Sequence, residues 1–343
     1  MAEQPFVVLD GIAKSWNGQV GVEEISLEIP EGAFVALLGP SGCGKSTTLR
    51  LLAGLETTDR GRIFIEGKDV TTAPPAERNL SMVFQSYALF PHLSVAENVI
   101  FGLRVRRVRR AERDRLLARA LEITGLKGFE TRKPGELSGG QRQRVALARA
   151  IVAEKKLCLM DEPLSNLDAK LRNSVRKDIK RLQRELGMTL LYVTHDQTEA
   201  MSMADTVVLM KDGLIKQAGT PEDLYSRPAN TFTAEFIGSP PMSLIQAGAA
   251  GLQSSAHLVG IRAEHIRVVE EGAGRLDCTV TEAEFLGSET LLSLDHEAAS
   301  GLAVTVPGLD LKPVGSRLGI DFSDSDAHFF DEGGDRIKTA ANA

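Results

Sequence analysis

The stretch Gly39-Pro40-Ser41-Gly42-Cys43-Gly44-Lys45-Ser46-Thr47 has the spacing of a phosphate-binding loop, G-x-x-x-x-G-K-[ST]. Its glycines let backbone N–H groups turn toward phosphate oxygens, and a helix beginning near Lys45 adds its positive N-terminal end. Lys45 supplies a charge for β- and γ-phosphates, and the Ser46 hydroxyl suits Mg²⁺. A chance glycine-rich turn is the competing reading. The apolar run before the loop and the helix-like run after it count against that. Cys43 reads as a neutral filler rather than a nucleophile, because nothing local supplies a base.

A second group of residues belongs with the first. Leu157-Cys158-Leu159-Met160-Asp161-Glu162-Pro163 is an apolar strand that delivers two carboxylates at its C-terminal end, where open parallel sheets bind ligands. Asp161 is placed to hold a Mg²⁺ shell, and Glu162 to polarise an attacking water. Gln85 and His195 follow the strand-like runs Ser81–Phe84 and Leu190–Thr194. An amide there can join the metal and water network, and an imidazole can bond a γ-phosphate oxygen or orient the water. Either residue alone reads as structural. Four strands each ending in a group suited to Mg·ATP favour function.

Leu137-Ser138-Gly139-Gly140-Gln141 precedes a helical stretch, Arg142–Ala153. Ser and two glycines at a helix N-terminus form a second anion-binding nest. The first loop already serves the chain's own nucleotide. The second is explained if it serves the nucleotide of another subunit.

These residues require a scaffold of strands alternating with helices. Strand candidates are residues 6–9, 25–29, 34–38, 62–65, 81–84, 157–160, 190–194 and 207–210. Helical patterns cover about 45–54, 110–124, 140–153, 169–186 and 197–204. Together they predict an α/β domain with a largely parallel central sheet. Residues 88–156 read as a helical insertion. The punctuation Gly238-Ser239-Pro240-Pro241 marks a boundary, giving a first domain over 1–237 and a small all-β domain over 238–343. The tail Thr339–Ala343 reads as frayed.

Composition narrows the function. The 343 residues carry 40 Lys plus Arg against 46 Asp plus Glu, a net charge of −6, and 5% aromatics. Neither a basic field nor a stacking surface for nucleic acid is present. Three widely spaced cysteines form neither a disulfide framework nor a metal-ligand pattern and suit a reducing compartment. The N-terminal residues lack the pattern of a signal peptide, and no apolar run has the length of a spanning helix. The expectation is a soluble, cytoplasmic chain that meets a membrane only through a partner.

The set GPSGCGKST, Gln85, LSGGQ, LCLMDEP, Ser165–Asp168 and His195 resembles the nucleotide-binding subunit of ABC transporters over residues 1 to about 237. The resemblance implies a P-loop NTPase cassette that binds ATP and Mg²⁺. It also implies a head-to-tail homodimer holding two ATPs at its interface. Each ATP would lie between one phosphate loop and the partner's Ser138–Gln141, with Asp168 communicating between the sites. Trp16 matches the aromatic that stacks on adenine; its plain alternative is a core aromatic. Glu162 is intact, so both composite sites are expected to hydrolyse ATP.

The resemblance further implies two transmembrane permease subunits, an extracytoplasmic solute-binding protein and a peripheral place on the cytoplasmic face of the inner membrane. The segment Ser86–Leu93 would help form the cleft for a permease coupling helix, against the alternative that it packs the insertion's own core. The arginine-rich run Arg104–Arg119 reads as a solvated helix face in preference to an anionic-lipid contact. Residues 236–242, 260–266, 285–289 and 328–331 look like the oligonucleotide-binding-like β module of maltose-type importers, which supports dimerisation and can receive regulatory proteins. Ser243 and Ala263 depart from that subgroup, which often has Asn and Pro there.

The resemblance favours a carbohydrate or polyol as solute, with sn-glycerol 3-phosphate next. Polyamine, sulfate, phosphonate and iron importers share the plan. A soluble, non-transport ABC ATPase and a regulatory nucleotide-binding module are the other classes. No second cassette or long inserted arm supports the former, and the intact Glu162 and His195 disfavour the latter.

Overall fold

The computed structural model describes residues 5–251 and 256–337; Thr339–Ala343 lie outside the described residues. The chain divides into two compact units, Met1–Pro221 and Glu222–Ala343.

The first unit opens on β1 (Val7–Trp16) and β2 (Gln19–Ile29), followed by β3 (Phe34–Leu38), α1 (Lys45–Ala53), β4 (Arg60–Ile65), β5 (Lys68–Asp69) and β6 (Leu80–Val83). Three helices come next: α2 (Val95–Val105), α3 (Arg110–Ile123) and α4 (Gly139–Ile151). It closes with β7 (Leu157–Asp161), α5 (Ala169–Leu186), β8 (Thr189–Val193), α6 (Gln197–Met203), β9 (Thr206–Lys211) and β10 (Leu214–Gly219).

The central sheet has the order β10-β9-β3-β8-β7-β6. Its strands run parallel except β10, which lies antiparallel on β9. The apolar runs of β3, β7 and β8 are buried at every position, the pattern of strands covered on both faces. The early strands do not join this sheet. β1, β2, β4 and β5 form a separate antiparallel sheet in the order β2-β1-β4-β5. The two sheets share one core, in which Ile12, Ile25 and Ile63 pack in a cluster with Leu37, Leu49 and Val193.

The helical insertion has its own core. Val99 and Leu103 of α2, Leu116 and Ala120 of α3, and Val145 and Ala148 of α4 pack together. Ser94 starts α2 with a capping box: its hydroxyl accepts from the Glu97 N–H, and the Glu97 carboxylate accepts from the Ser94 N–H. Within the arginine-rich run, Arg104, Arg110 and Arg115 pair with Glu97, Asp114 and Glu112, the behaviour of a charged, solvent-facing surface.

The second unit takes in most of α7 (Pro221–Ser226), then α8 (Thr231–Phe236), and is otherwise built from strands. β11 (Ser243–Gln246), β12 (Leu258–Ile261), β16 (Ala299–Ser300) and β19 (His328–Phe330) form one antiparallel sheet. β13 (Arg267–Val269), β14 (Leu276–Phe285), β15 (Glu289–Asp295), β17 (Ala303–Pro307) and β18 (Arg317–Asp321) form the other. Ile245 and Val259 of the first sheet pack in one cluster with Val280 and Ile320 of the second.

The boundary expected at residue 238 falls inside this unit, because the segment before it is tied to the strands. Arg262, only 2% exposed, donates to the carbonyls of Tyr225, Ala234 and Ile237. Its guanidinium carbon lies 4.2 Å from the centre of the Tyr225 ring.

Candidate functional site

Sheet register assembles the site. Val83 pairs with Met160, Met160 with Tyr192, and Tyr192 with Ala36. Two residues on from these positions stand Gln85, Glu162, Thr194 and Leu38, at one C-terminal edge. His195 and the loop from Gly39 follow directly.

The loop Gly39–Thr47 wraps the start of α1. Lys45 is 4% exposed. Its Nζ donates to the carbonyls of Gly39 and Pro40, each at 2.7 Å. Two glycines are dictated by close approach. A Cβ on Gly39, at φ 151°, would lie 2.2 Å from the Met210 carbonyl oxygen. One on Gly44, at φ 100°, would lie 2.4 Å from the Gly21 carbonyl oxygen. Ser41 and Gly42 are exposed at the tip of the loop, while Ser46 and Thr47 are half-buried. Cys43 is buried beneath it, and burial raises its thiol pKa despite the neighbouring Lys45 charge. A neutral thiol results.

Ser46 and Asp161 meet directly: Oγ of Ser46 donates to Oδ1 of Asp161 at 2.8 Å. Glu162 takes a left-handed backbone, φ 41°, and its N–H donates to the Val193 carbonyl at 3.0 Å. That conformation is uncommon for a residue with a side chain. It ends the strand and sets the carboxylate beside its neighbours. Nδ1 of His195 lies 3.2 Å from Oε2 of Glu162. Gln85 Nε2 reaches the same oxygen at 3.4 Å and the Ser165 hydroxyl at 3.4 Å. A carboxylate between an imidazole and an amide has the chemistry to hold a water and accept a proton.

Ser138–Gln141 occupy the start of α4 as a capping box. Ser138 Oγ accepts from the Gln141 N–H at 3.3 Å, and Gln141 Oε1 accepts from the Ser138 N–H at 2.9 Å. Among the described residues, no hydrogen bond joins this group to the loop Gly39–Thr47. Its neighbours are instead those of the Asp168 loop. A Cβ on Gly140 would lie 2.6 Å from the Leu171 side chain, and one on Gly139 would lie 3.2 Å from Leu167. Asp168 caps α5, its Oδ1 accepting from the Leu171 N–H at 2.9 Å.

Trp16 ends β1 and is 41% exposed, so it is not a core aromatic. A Cβ on Gly21 would lie 2.3 Å from its ring, and the Gly21 carbonyl abuts Gly44. The indole therefore stands close to the phosphate loop.

Two polar residues outside the sequence motifs, Asn98 and the half-buried Arg149, shape the segment after Gln85. Asn98, fully buried, accepts from the Phe90 N–H and donates to the carbonyls of Phe90, Leu93 and Ser94. Arg149 donates to the carbonyls of Tyr87 and Ala88, each at 2.7 Å. Those two residues have φ values of 63° and 46°. The Phe90 and Phe101 rings lie 4.4 Å apart. They border a groove of about 360 Å³ that also takes in Phe84, Ala88, Arg106 and Arg149. The signal for Asn98 was a polar side chain on the apolar face of an amphipathic helix.

Residues 22–165 match the ABC transporter family, and residues 259–330 match the TOBE domain. The sn-glycerol-3-phosphate import ATP-binding protein UgpC of Brucella abortus (strain 2308) is 45% identical over 346 residues, spanning 96% of this chain and 99% of that protein. UgpC 3 of Rhizobium johnstonii is 47% identical over 309 residues, 87% of this chain and 89% of that one. Among solved structures, cbiO1 of Clostridium perfringens, part of the ABC transporter complex cbiONQ, superposes with a TM-score of 0.62 at 28% identity. It covers 66% of this chain and 92% of its own. The ATP-binding cassette MJ0796, a dimer in a post-hydrolysis state with ADP and Pi, gives a TM-score of 0.56 at 30% identity, over 63% and 98%. On the phosphate loop, the strand-end carboxylates and this near full-length similarity, the chain belongs to the ATP-binding subunits of ABC transporters, in the group that carries a C-terminal TOBE domain.

Proposed function

We propose that this ABC importer ATPase energises uptake of a polyol or carbohydrate class of solute, with sn-glycerol 3-phosphate, named by its curated relatives, as the leading candidate. The observation that carries the hydrolytic reading is the position of Glu162. It sits at the end of β7, beside Asp161 and in reach of both Gln85 and His195.

In this reading the loop Gly39–Thr47 binds the phosphates through its N–H groups and Lys45. Ser46 and Asp161 are hard oxygen donors already in contact, and Gln85 adds an amide oxygen. That donor set fits Mg²⁺, which takes few protein oxygens and fills its shell with phosphate and water. Bound Mg²⁺ would neutralise charge on the β- and γ-phosphates. Glu162 orients the attacking water and takes its proton. His195 holds that carboxylate and bonds a γ-phosphate oxygen. Trp16 stacks on the adenine. The exposed Ser138 of a second copy closes over the nucleotide, which makes the working form a homodimer.

The groove between Phe90 and Phe101 receives an apolar segment of a permease subunit, at the cytoplasmic face of the membrane. Two such subunits and a solute-binding protein complete the importer. The TOBE unit supports the dimer and is open to a regulatory protein.

The test is Glu162→Gln in the full-length chain. Steady-state ATP turnover falls by about 100-fold or more, while ATP binding persists. Unchanged turnover would show that the base is another group. Co-expression with membrane proteins encoded beside the gene, followed by uptake of labelled sn-glycerol 3-phosphate and of sugars, decides the solute.

A further inference from the structure

Arg172 lies in the first turn of α5, four residues after Asp168, and it touches two loops. Its backbone N–H donates to the Asp168 carbonyl at 2.8 Å. Nη2 donates to the Leu167 carbonyl at 3.1 Å, and Nη1 to Oδ2 of Asp196 at 3.2 Å. Nε is buried, has no hydrogen-bond partner, and lies 3.9 Å from Oε1 of Glu199.

The far side of this contact surrounds His195. Glu199 is 3% exposed. Its Oε2 accepts from the Tyr192 hydroxyl and the Thr194 hydroxyl, each at 2.8 Å. The Thr194 Oγ1 in turn accepts from the Asp196 N–H at 3.0 Å. Thr194 and Asp196, the residues on either side of His195, are therefore both held. Arg172 faces the Asp196 carboxylate and that of Glu199, which holds Thr194. A small cavity of about 10 Å³ joins Glu162, Arg172, His195 and Glu199 along its walls.

Electrostatics says why a guanidinium stands there. Two carboxylates, Asp196 and Glu199, close on one point, and burial already raises the Glu199 pKa. A planar cation with several nitrogens can bond Asp196, set its charge beside Glu199 and still reach a backbone carbonyl. A lysine has one nitrogen and cannot span the same set. If Arg172 served only to cap α5, its bond to Leu167 would suffice and the contact with Asp196 would be idle.

We propose that Arg172 is a positioning residue that ties the Ser165–Asp168 loop to the His195 turn, so that displacement of one loop reaches the imidazole. The proposal rests on the hydrolytic reading of Glu162 and His195.

The experiment uses the full-length protein and Mg·ATP turnover. Arg172→Met lowers kcat about tenfold, with KM for ATP within about twofold of the parent. Arg172→Lys recovers part of the loss. On a His195→Ala background, Arg172→Met adds less than about twofold, because its effect runs through the imidazole. Asp196→Asn keeps the α6 cap but weakens the ion pair, so it gives a similar loss that does not multiply with Arg172→Met. Asp196→Asn, alone and on the His195→Ala background, carries the test if Arg172→Met is too unstable to assay. An unchanged kcat in Arg172→Met overturns the proposal. So do losses that multiply in full in either double variant. Glu162→Gln is run beside them. If it turns over ATP normally, the hydrolytic reading fails, whereas full multiplication with Glu162→Gln inactive sinks the Arg172 proposal alone.

Discussion

Nδ1 of His195 and Oε2 of Glu162 lie 3.2 Å apart across the ends of two neighbouring strands. The pair is made by register. Asp161 sits opposite Val193, so each strand needs only one or two further residues to bring the carboxylate and the imidazole together. His195 is exposed, so the pair faces outward from the sheet edge.

From that geometry, His195→Ala should reduce ATP turnover by about 100-fold while leaving ATP affinity within about threefold. Turnover against ATP concentration, with binding measured separately, checks it. A loss confined to KM would assign His195 to ground-state binding.

The phosphate loop has no space for side chains at two points. Gly39→Ala places a methyl 2.2 Å from the Met210 carbonyl oxygen at a left-handed φ, so backbone must shift. The expected outcome is a folded chain that no longer gains thermal stability from Mg·ATP. The control Gly42→Ala meets nothing within 4 Å, although its φ is 81°, and should lose less. Equal losses would mean that strain, rather than space, governs the loop.

Arg262 should be a pillar of the second unit. Arg262→Met leaves the carbonyls of Tyr225 and Ile237 without their donor, and that of Ala234 with the Met242 N–H alone. At about 1–3 kcal/mol for each buried acceptor left unpaired, the loss is about 2 kcal/mol or more. Urea unfolding should show a lower midpoint, and Arg262→Lys should not restore it. A change below about 0.5 kcal/mol would mean that water replaces the guanidinium.

The second unit should also weaken in acid through His328. Burial first, then the charges of Arg336, Arg262 and His265, push its pKa from 6.5 to about 4. The folded unit therefore keeps the imidazole neutral where the unfolded chain takes up a proton. The unfolded state binds more protons between pH 6.5 and 4, so stability is fully present above that window and falls as pH drops through it. His328→Gln should flatten the fall. Identical pH slopes in parent and variant would place the effect elsewhere.

Much of the site was legible in sequence because its parts are local. The loop from Gly39, the carboxylates after β7 and the Ser138 cap each announce themselves within a few residues, and α5 runs over Ala169–Leu186 as its periodicity suggests. The first sheet was not legible from apolar runs. β1 runs on far beyond its apolar start and β2 begins well before its apolar end, because a tight hairpin joins them at Asn17 and Gly18, both at positive φ. The Asn-Gly dipeptide was the available signal. Arg172 and Glu199 were hidden for another reason. Charges on helices read as solvated, and only the packing of α5 and α6 near the His195 turn buries Glu199 and half-buries Arg172. The same holds for Arg262, whose partners lie 25 to 37 residues away in the chain.

The contact of Gly140 with Leu171 carries a consequence for anyone recombining these proteins. The Ser138–Gln141 start of α4 and the loop that leads into α5 are fitted to each other inside one chain. A chimera that takes α4 from a relative must take Leu167 and Leu171 with it. Otherwise the graft leaves either a collision or a gap under the first turn of α4. In engineering terms the unit of exchange is the pair of helix starts, not the five-letter motif.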